Sequence, residues 1–263
     1  MQNQEEIKEV VKSKYAEIAV AKSGSCCCGG SKVVPYTMFQ DDYSGKEGYV
    51  PEADLGLGCG VPTDLAEIKK GDVVVDLGSG AGNDVFVARA VAGDEGEVIG
   101  IDFTQEMIDK ANKNLDKLKF GNIRFVLGEI ENIPLEANTA DVVISNCVLN
   151  LVPDKTKAFA EIYRILKPGG HFCVSDIVIV GEMSEALKKS AEMYAGCVSG
   201  GLSRDAYLGI IQNTGFISTE VKRTKVIELP DDLLKKYLSP DGVLEYKSKV
   251  SGICSITVVG YKR

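Results

Sequence analysis

Residues 73–84, with the sequence VVVDLGSGAGND, decide the fold. A β-branched run leads into Asp76, glycines follow at alternate positions, and a helix-forming stretch starts at Asn83 or Asp84. Glycines let the backbone turn sharply and approach a ligand closely, and Asn83 or Asp84 is suited to cap the helix. A strand, a glycine-rich turn and a helix in this order indicate a nucleoside site in an α/β fold.

Outward from this turn, short β-branched runs alternate with amphipathic stretches. This predicts a Rossmann-like α/β fold: a mostly parallel, seven-stranded sheet with helices on both faces. The predicted strands span residues 73–77, 97–101, 123–127, 141–145, 171–177, 216–222 and 255–261. The predicted helices lie near residues 5–21, 84–92, 105–118, 155–166, 184–195, 204–214 and 231–237. Lys-Pro-Gly-Gly at 167–170 is predicted to end the fourth helix.

The composition predicts a globular protein of the cytoplasm. Of its 263 residues, 44% are apolar, and 30 Lys and Arg against 38 Asp and Glu give a net charge of −8. The acidic balance argues against nucleic-acid binding, which needs a basic face. No apolar run reaches the roughly 20 residues of a spanning helix, and the acidic, polar start differs from a signal peptide, so no membrane partner is expected.

Eight cysteines are unexpected in a chain that keeps its thiols reduced. No pair has the C-x-x-C spacing of zinc ribbons, and the nearest thing to a cluster is the run Cys26, Cys27 and Cys28. Cys173 and Cys254 fit the pattern of buried structural cysteines. A single histidine, His171, argues against chemistry that needs paired imidazoles.

Two acidic residues indicate which nucleoside is bound. Asp102 follows the second predicted strand, 20 residues after Gly82 (102 minus 82), a spacing that suits a carboxylate accepting hydrogen bonds from a ribose. Asp76, just before the glycines, repels phosphate and attracts a cationic group. S-adenosylmethionine has no phosphate and carries a sulfonium and an amino group, so it fits both carboxylates.

At these residues the chain resembles the class I S-adenosylmethionine-dependent methyltransferases. The resemblance covers residues 72–177, including Gly-Glu-Ile-Glu at 128–131 and Leu-Lys-Pro-Gly-Gly at 166–170. It implies that Glu129 faces the adenine amino group and that the backbone of Ile130 faces a ring nitrogen. Met107 either lies against the adenine or is an ordinary core methionine. The cofactor-binding residues that the resemblance implies are Asp76, Gly78, Ser79, Gly80, Gly82, Asp102, Phe103, Met107, Glu129, Ile130 and Asn146.

Three cysteine segments narrow the resemblance. They are Gly-Cys-Gly-Val-Pro at 58–62, Ser-Asn-Cys-Val at 145–148 and Tyr-Ala-Gly-Cys-Val-Ser-Gly-Gly at 194–201, and they look like the cysteine segments of arsenite methyltransferases. The resemblance implies that three cysteines bind trivalent arsenic and that the N-terminal run takes part in thiol–disulfide steps or arsenic delivery. The arsenic ligands would be Cys59, Cys147 and Cys197, and Cys27 and Cys28 join them as catalytic candidates.

The chemistry of arsenic is consistent with this assignment. Trivalent arsenic is soft and prefers thiolates, and three thiolates leave its lone pair free to attack the sulfonium methyl without a general base. Each methyl added raises the formal oxidation state of arsenic, so electrons must come from cysteine pairs or small thiols. We expect arsenite or its thiol conjugates as substrate, glutathione or thioredoxin as reductant, no obligatory metal cofactor, and a monomer.

Two other functions stay open from the sequence. The first is a methyltransferase for a small organic acceptor, whose base would be a carboxylate or a tyrosine. The second is a thiol-rich protein that sequesters or senses soft metals. A zinc site at Cys26 to Cys28 is a weaker alternative, because adjacent cysteines rarely point at one tetrahedral centre. Tyr43 and Tyr49 are candidates for a tyrosine at the acceptor site, although residues 43–51 depart from the tyrosine–glycine motif of eukaryotic and algal family members.

Three segments are expected along the chain. An N-terminal helix and a glycine- and cysteine-rich loop occupy residues 1–71. The S-adenosylmethionine-binding Rossmann-like core occupies residues 72–180, and acceptor-site helices with closing strands occupy residues 181–263. The breakers between residues 23 and 62 predict an irregular loop there.

Overall fold

Seven strands form one twisted sheet in a computed structural model that describes residues 4–20, 41–181, 201–229, 231–248 and 252–263. The spatial order is β3-β2-β1-β4-β5-β7-β6, and only β7 runs antiparallel to its neighbours. The mostly parallel α/β fold predicted above is therefore confirmed. The strands are β1 Val73–Leu77, β2 Glu97–Asp102, β3 Ile123–Leu127, β4 Ala140–Asn146, β5 Leu166–Val180, β6 Ile217–Val226 and β7 Gly252–Tyr261.

The helices of the described residues are α1 Gln4–Val20, α2 Asn83–Ala92, α3 Gln105–Leu118, α4 Lys155–Ile165, α5 Arg204–Thr214, α6 Asp231–Leu234 and α7 Pro240–Ser248. Short 3₁₀ turns occupy Pro62–Asp64 and Leu149–Leu151. The helix expected near residues 184–195 lies outside the described residues. None of the described helices is long and apolar enough to cross a membrane.

Side chains that alternate in direction along each strand divide the apolar core between the two faces of the sheet. Val75 and Leu77 of β1 belong to one buried cluster with residues of α4 and α5, whereas Val74 belongs to a second cluster with Phe86 of α2. Because successive side chains of a strand point to opposite faces, a continuous apolar strand is buried on both sides. Helices therefore cover both faces of the sheet, and its carboxyl edge is left for the site.

Three details of the sequence-based prediction were wrong. The cap of α2 is Gly82, which has a φ of +99° and makes no side-chain cap bond, so neither Asn83 nor Asp84 caps the helix. Residues 167–170 belong to β5 instead of a loop, because Gly170 O accepts a hydrogen bond from the N–H of Lys262 at 2.8 Å. Helix α7 was not predicted; it begins at Pro240, and proline is tolerated in the first helical turn.

Asp176 on β5 is a fully buried carboxylate that joins the sheet to α5. It accepts hydrogen bonds from Tyr207 Oη at 3.1 Å and from the N–H of Ile177 at 2.9 Å. Burial raises the pKa of Asp176 to about 7 from an ordinary value of 3.8, although its hydrogen bonds and the charge of Lys155 oppose the rise. The folded chain therefore holds a proton here that an unfolded chain would release.

We expect Asp176→Asn to flatten the dependence of stability on pH. Because the pKa is higher in the folded state, the free energy of unfolding falls as the pH rises through the window between the two pKa values. Asparagine does not titrate, so the fall from about pH 5 to about pH 8 should be smaller in the variant by roughly 1–3 kcal/mol. Urea unfolding at both pH values measures this difference, and equal falls in the two proteins would contradict it.

Candidate functional site

A cleft opens at the carboxyl ends of β1, β2 and β4, where the glycine loop connects β1 to α2. In a parallel sheet this edge, at the point where the strand order reverses, is the usual place for a ligand. Ten of the eleven residues predicted to bind the cofactor line the cleft: Asp76, Gly78, Ser79, Gly80, Asp102, Phe103, Met107, Glu129, Ile130 and Asn146.

The glycine loop is shaped by close backbone contacts. The N–H groups of Gly78 and Ser79 donate to Ile101 O at 2.7 and 2.9 Å, which fixes the loop to β2. Gly78 has a φ of +73°, and a Cβ added there would lie 2.5 Å from the side chain of Val148. Gly82 does not line the cleft; a Cβ there would lie 2.9 Å from Phe125, so this glycine allows α2 to pack on the sheet.

Two buried carboxylates line the floor of the cleft. Asp102 is held by backbone, with Oδ2 accepting from the N–H of Gly80 at 3.0 Å and Oδ1 from that of Thr104 at 2.9 Å. Asp76 is buried nearby, and burial together with the charges of Asp84 and Asp102 raises its pKa. A cationic ligand would relieve this repulsion, because it favours the charged form of each carboxylate.

Unsatisfied polar atoms in the wall also point to a polar ligand. Ser79 Oγ and Asn83 Oδ1 are buried, line the cleft and have no hydrogen-bond partner among the described residues. Buried polar atoms in folded proteins are nearly always hydrogen-bonded, so a pair of unsatisfied ones beside a cleft indicates a partner that comes from outside the described residues.

Helix α1 forms one wall of the cleft, which the sequence did not predict. Lys8 Nζ forms an ion pair with Glu129 at 2.7 Å and a second one with Glu131. The hydrogen bonds to these two glutamates raise the pKa of Lys8 against the opposing effect of burial. Val11 and Tyr15 of the same helix also line the cleft. Lys8 therefore forms an ion pair with Glu129, the carboxylate that was predicted to face the adenine amino group.

Cys59 and Cys147 meet in one apolar cluster beside the cleft. Both side chains are buried, with 2% and 4% exposure, and Cys147 lines the cleft. The other buried members come from β5, from the chain before α6, and from α6, α7 and β7: Ile177, Ile227, Leu229, Leu234, Val243 and Ile253. Two cysteines that are 88 residues apart in sequence (147 minus 59) thus belong to the same buried cluster.

The backbone at both cysteines is constrained. Cys147 has a φ of +62°, a left-handed conformation that non-glycine residues rarely adopt, and its N–H donates to Ser175 O at 2.8 Å. The glycines flanking Cys59 permit two close approaches. A Cβ at Gly58 would lie 2.7 Å from Asn146 Nδ2, and one at Gly60 would lie 2.5 Å from Ser175 Oγ.

A polar network ties the Cys59 loop to the core. Asn146 Oδ1 accepts from the N–H of Cys59 at 3.0 Å, and Asn146 Nδ2 donates to Gly60 O at 2.8 Å. Tyr43 Oη donates to Asp84 Oδ1 at 2.7 Å and lies 3.0 Å from Gly60 O. No local pattern predicts this role of Asp84, since its contacts come from residues 41 and 62 positions away (84 minus 43, 146 minus 84).

The remaining candidates lie away from the cleft or outside the described residues. Tyr49 Oη donates to Asp54 Oδ2 at 3.2 Å. His171 pairs with Val142 near the amino end of β4, where its Nε2 lies 2.6 Å from Ala66 O, so it is remote from the cleft. Cys197 and the run Cys26, Cys27 and Cys28 lie outside the described residues.

Comparison with known proteins agrees with this geometry. Residues 68–215 match a family model described as a methyltransferase domain. An arsenite methyltransferase of Halobacterium salinarum is 37% identical over 230 residues, which cover 82% of this chain and 59% of that protein. The crystal structure of an arsenic(III) S-adenosylmethionine methyltransferase from Chlamydomonas reinhardtii aligns with a TM-score of 0.66 and 30% identity, covering 89% of this chain and 75% of the other.

The chain belongs to the arsenite methyltransferase family. The mouse arsenite methyltransferase is 30% identical over 246 residues, covering 89% of this chain and 64% of the mouse protein. The chain thus spans a little under two thirds of the length of the Halobacterium and mouse proteins. A phosphoethanolamine methyltransferase of Haemonchus contortus, at 22% identity and a TM-score of 0.60, shares the fold.

We expect Gly60→Ala to destabilise the Cys59 loop of this family member. The added methyl would overlap Ser175, so the loop or β5 must shift, at a cost of about 1–3 kcal/mol in the free energy of unfolding. Gly45→Ala is the matched control, because nothing lies within 4 Å of its added Cβ. Thermal unfolding compares the two, and a Gly60→Ala protein as stable as Gly45→Ala would contradict the close approach.

We expect Lys8→Gln to loosen α1 from the wall of the cleft. The change removes both ion pairs and leaves Glu131, with a side chain only 7% exposed, without its cation. Amide exchange in α1 should accelerate by roughly 3–10-fold, which corresponds to about 1 kcal/mol. Lys12→Gln on the exposed face of the same helix is the control. Hydrogen exchange detected by mass spectrometry measures the protection of α1 in both variants. Equal protection in the two would contradict a stabilising role of the Lys8 ion pairs.

Proposed function

We propose that this protein transfers methyl groups from S-adenosylmethionine to trivalent arsenic held by cysteine thiolates, for arsenic detoxification. The observation that carries the proposal is the meeting of Cys59 and Cys147 in one buried cluster beside a cleft with nucleoside-site geometry. The relatives named as arsenite methyltransferases support it, and so does the coverage of 75% of the Chlamydomonas enzyme.

The residues of the cleft fit S-adenosylmethionine. Asp102 is suited to the ribose hydroxyls, and the repulsion that raises the pKa of Asp76 is suited to a ligand with cationic groups. Ser79 Oγ and Asn83 Oδ1 offer hydrogen bonds that the described chain leaves unused. Bound there, the cofactor supplies an electrophilic methyl group on a sulfonium.

Adenine recognition is proposed for the part of the cleft that is lined by Met107, Glu129 and Ile130. The fully buried Met107 provides an apolar contact, and the backbone of Ile130 and the side chain of Glu129 line the same wall. Because Lys8 pairs with Glu129, adenine must either share this carboxylate with the lysine or bind through Ile130 alone. Phe103 beside Asp102 completes the nucleoside contacts in this proposal.

The thiols provide an arsenic site that needs no general base. Thiolates suit soft trivalent arsenic, and its lone pair is the nucleophile, so no proton has to be removed from the acceptor. The only histidine is remote from the cleft, which does not hinder this chemistry but would hinder an organic acceptor that requires an imidazole base. The apolar side chains around Cys59 and Cys147 exclude water from the pocket.

Cys197 is proposed as the third arsenic ligand. The described chain on both sides of the segment that carries it lies at the carboxyl end of β5: Val180 ends that strand, and Leu202 O accepts from the N–H of Ile179 at 2.9 Å. Tyr207, five residues further along than Leu202, is close enough to Cys59 and Cys147 for their charges to raise its pKa, after the larger effects of burial and Asp176. The thiol pocket therefore borders the point where this segment rejoins the described chain.

A thiol reductant is proposed to complete the cycle. Forming the carbon–arsenic bond takes arsenic from formal oxidation state III to V, and a dithiol that becomes a disulfide returns the two electrons. A cysteine of the run Cys26, Cys27 and Cys28 is the proposed redox thiol of this chain. It forms the disulfide with a second thiol, and glutathione or thioredoxin in the reducing cytoplasm reduces that disulfide again. Each of the three segments has a proposed role: residues 1–71 supply the redox thiols and Cys59, residues 72–180 bind the cofactor, and residues 181–263 complete the arsenic site.

A methyl-transfer assay tests the proposed function. Wild type, Cys147→Ser and Cys173→Ser are incubated with methyl-labelled S-adenosylmethionine, arsenite and a thiol reductant, and labelled methylarsenicals are separated. We expect Cys147→Ser to lose at least about 100-fold in rate, because serine is a hard ligand that binds arsenic poorly. Cys173→Ser should stay within about threefold of wild type, because its Sγ donates to Pro62 O at 3.3 Å and a serine hydroxyl can do the same.

Three results would contradict the proposal or the role of Cys147 in it. A folded wild type that binds S-adenosylhomocysteine but makes no methylarsenical would favour an organic acceptor. A wild type that binds arsenite but shows no affinity for S-adenosylhomocysteine would favour a soft-metal binding protein. Equal losses in Cys147→Ser and Cys173→Ser would remove the special role of Cys147.

A further inference from the structure

Asp84 is a buried carboxylate with no ion pair among the described residues. Its side chain is 7% exposed, its Oδ1 accepts from Tyr43 Oη at 2.7 Å, and its Oδ2 accepts from Asn146 Nδ2 at 3.1 Å. Burying a carboxylate without a cation is costly, so a side chain of this kind usually does something that a neutral one cannot. Helix capping does not require a carboxylate here, because Gly82 caps α2 without a side-chain bond.

The two partners of Asp84 both hold the backbone around Cys59. Asn146 accepts from the N–H of Cys59 with Oδ1 and donates to Gly60 O with Nδ2. Tyr43 Oη lies 2.9 Å from Asn146 Nδ2 and 3.0 Å from Gly60 O. A peptide group on each side of Cys59 is therefore fixed by side chains that converge on one carboxylate.

The position of Asp84 in the chain links this network to the cofactor loop. Asp84 is the second residue of α2 and lies two residues after Gly82, the last glycine of the cofactor loop. Asn146 is followed immediately by Cys147, whose left-handed backbone is fixed by Ser175. The carboxylate therefore connects the loop proposed to bind the methyl donor with the backbone of both described arsenic ligands.

We propose that Asp84 is a positioning residue for methyl transfer. Acting through Tyr43 and Asn146, it holds Cys59 in register with the glycine loop, so that arsenic lies in line with the donor methyl. The inference rests on the proposed function. In-line displacement is sensitive to alignment, and a displacement of about 1 Å in the nucleophile can cost on the order of 100-fold in rate.

The experiment compares Asp84→Ala, Asp84→Asn and Tyr43→Phe with wild type and with the control Asp116→Asn, an exposed position on α3. Single-turnover rates of methyl transfer to arsenite are measured at saturating cofactor and arsenite, and the affinity for S-adenosylhomocysteine is measured by calorimetry. Alkylation of Cys59 by iodoacetamide, followed by mass spectrometry with the buried Cys173 as internal reference, reports on the loop itself.

In Asp84→Ala the single-turnover rate should fall by about 10–100-fold while the affinity for S-adenosylhomocysteine stays within about threefold. Cys59 should be alkylated at least about fivefold faster relative to Cys173, because its loop has lost its anchor. Asp84→Asn keeps one acceptor oxygen and should recover part of the rate. Tyr43→Phe keeps the carboxylate and the ring, so it should remain folded and show a smaller loss of the same kind.

Three outcomes would overturn the inference. The first is an Asp84→Ala rate equal to that of Asp116→Asn. The second is a loss of affinity for S-adenosylhomocysteine as large as the loss of rate, which would make Asp84 a binding residue. The third is unchanged alkylation of Cys59 in both Asp84→Ala and Tyr43→Phe. A wild type that methylates no arsenic contradicts the proposed function and is recognised separately, since it is seen before any variant is compared.

Discussion

The side-chain amide of Asn146 is the interaction on which the arrangement of the site depends. It accepts from the N–H of Cys59 and donates to Gly60 O, while its own backbone leads directly into Cys147. One residue therefore joins two loops that the chain order keeps far apart. Because an amide both donates and accepts, an aspartate at this position could not make both bonds to the Cys59 loop at once. Gly58 and Gly60 allow the loop to approach this closely.

The same site concentrates negative charge without a compensating cation from the described chain. Asp76, Asp84 and Asp102 are all buried, and burial raises the pKa of each. None of the three forms an ion pair with a lysine or arginine in the described ranges. Burying three carboxylates without a cation is unfavourable, so the site favours a positively charged ligand, which offsets the repulsion among the carboxylates. The preference belongs to the arrangement of the three carboxylates and to no single one.

The sequence predicted those parts of the structure that depend on local pattern. The period of apolar residues placed all seven strands within a few residues, except for β5, whose early start depends on Lys262 at the far end of the chain. Apart from the residues implied by the family resemblance, glycine spacing and the distance to Asp102 placed the glycine loop, Asp76 and Asp102 on one cleft, because strand ends in a parallel sheet share an edge. These inferences use separations of about 20 residues or fewer, or the regularity of the fold itself.

What the sequence could not predict depends on contacts between distant segments. Lys8 meets Glu129 across 121 residues, and Tyr43 meets Asn146 across 103, and neither pair has a local signature. The apolar wall of the thiol pocket has the same origin: Leu234, Val243 and Ile253 come from the last elements of the fold and cover Cys59 and Cys147. Burial of this kind keeps a thiol from oxidants and water but also disfavours its charged form. In the proposed arsenic site that cost is removed, because a thiolate bonded to arsenic no longer carries an isolated charge. The proposed pocket therefore suits the arsenic-bound thiolates better than the free thiols.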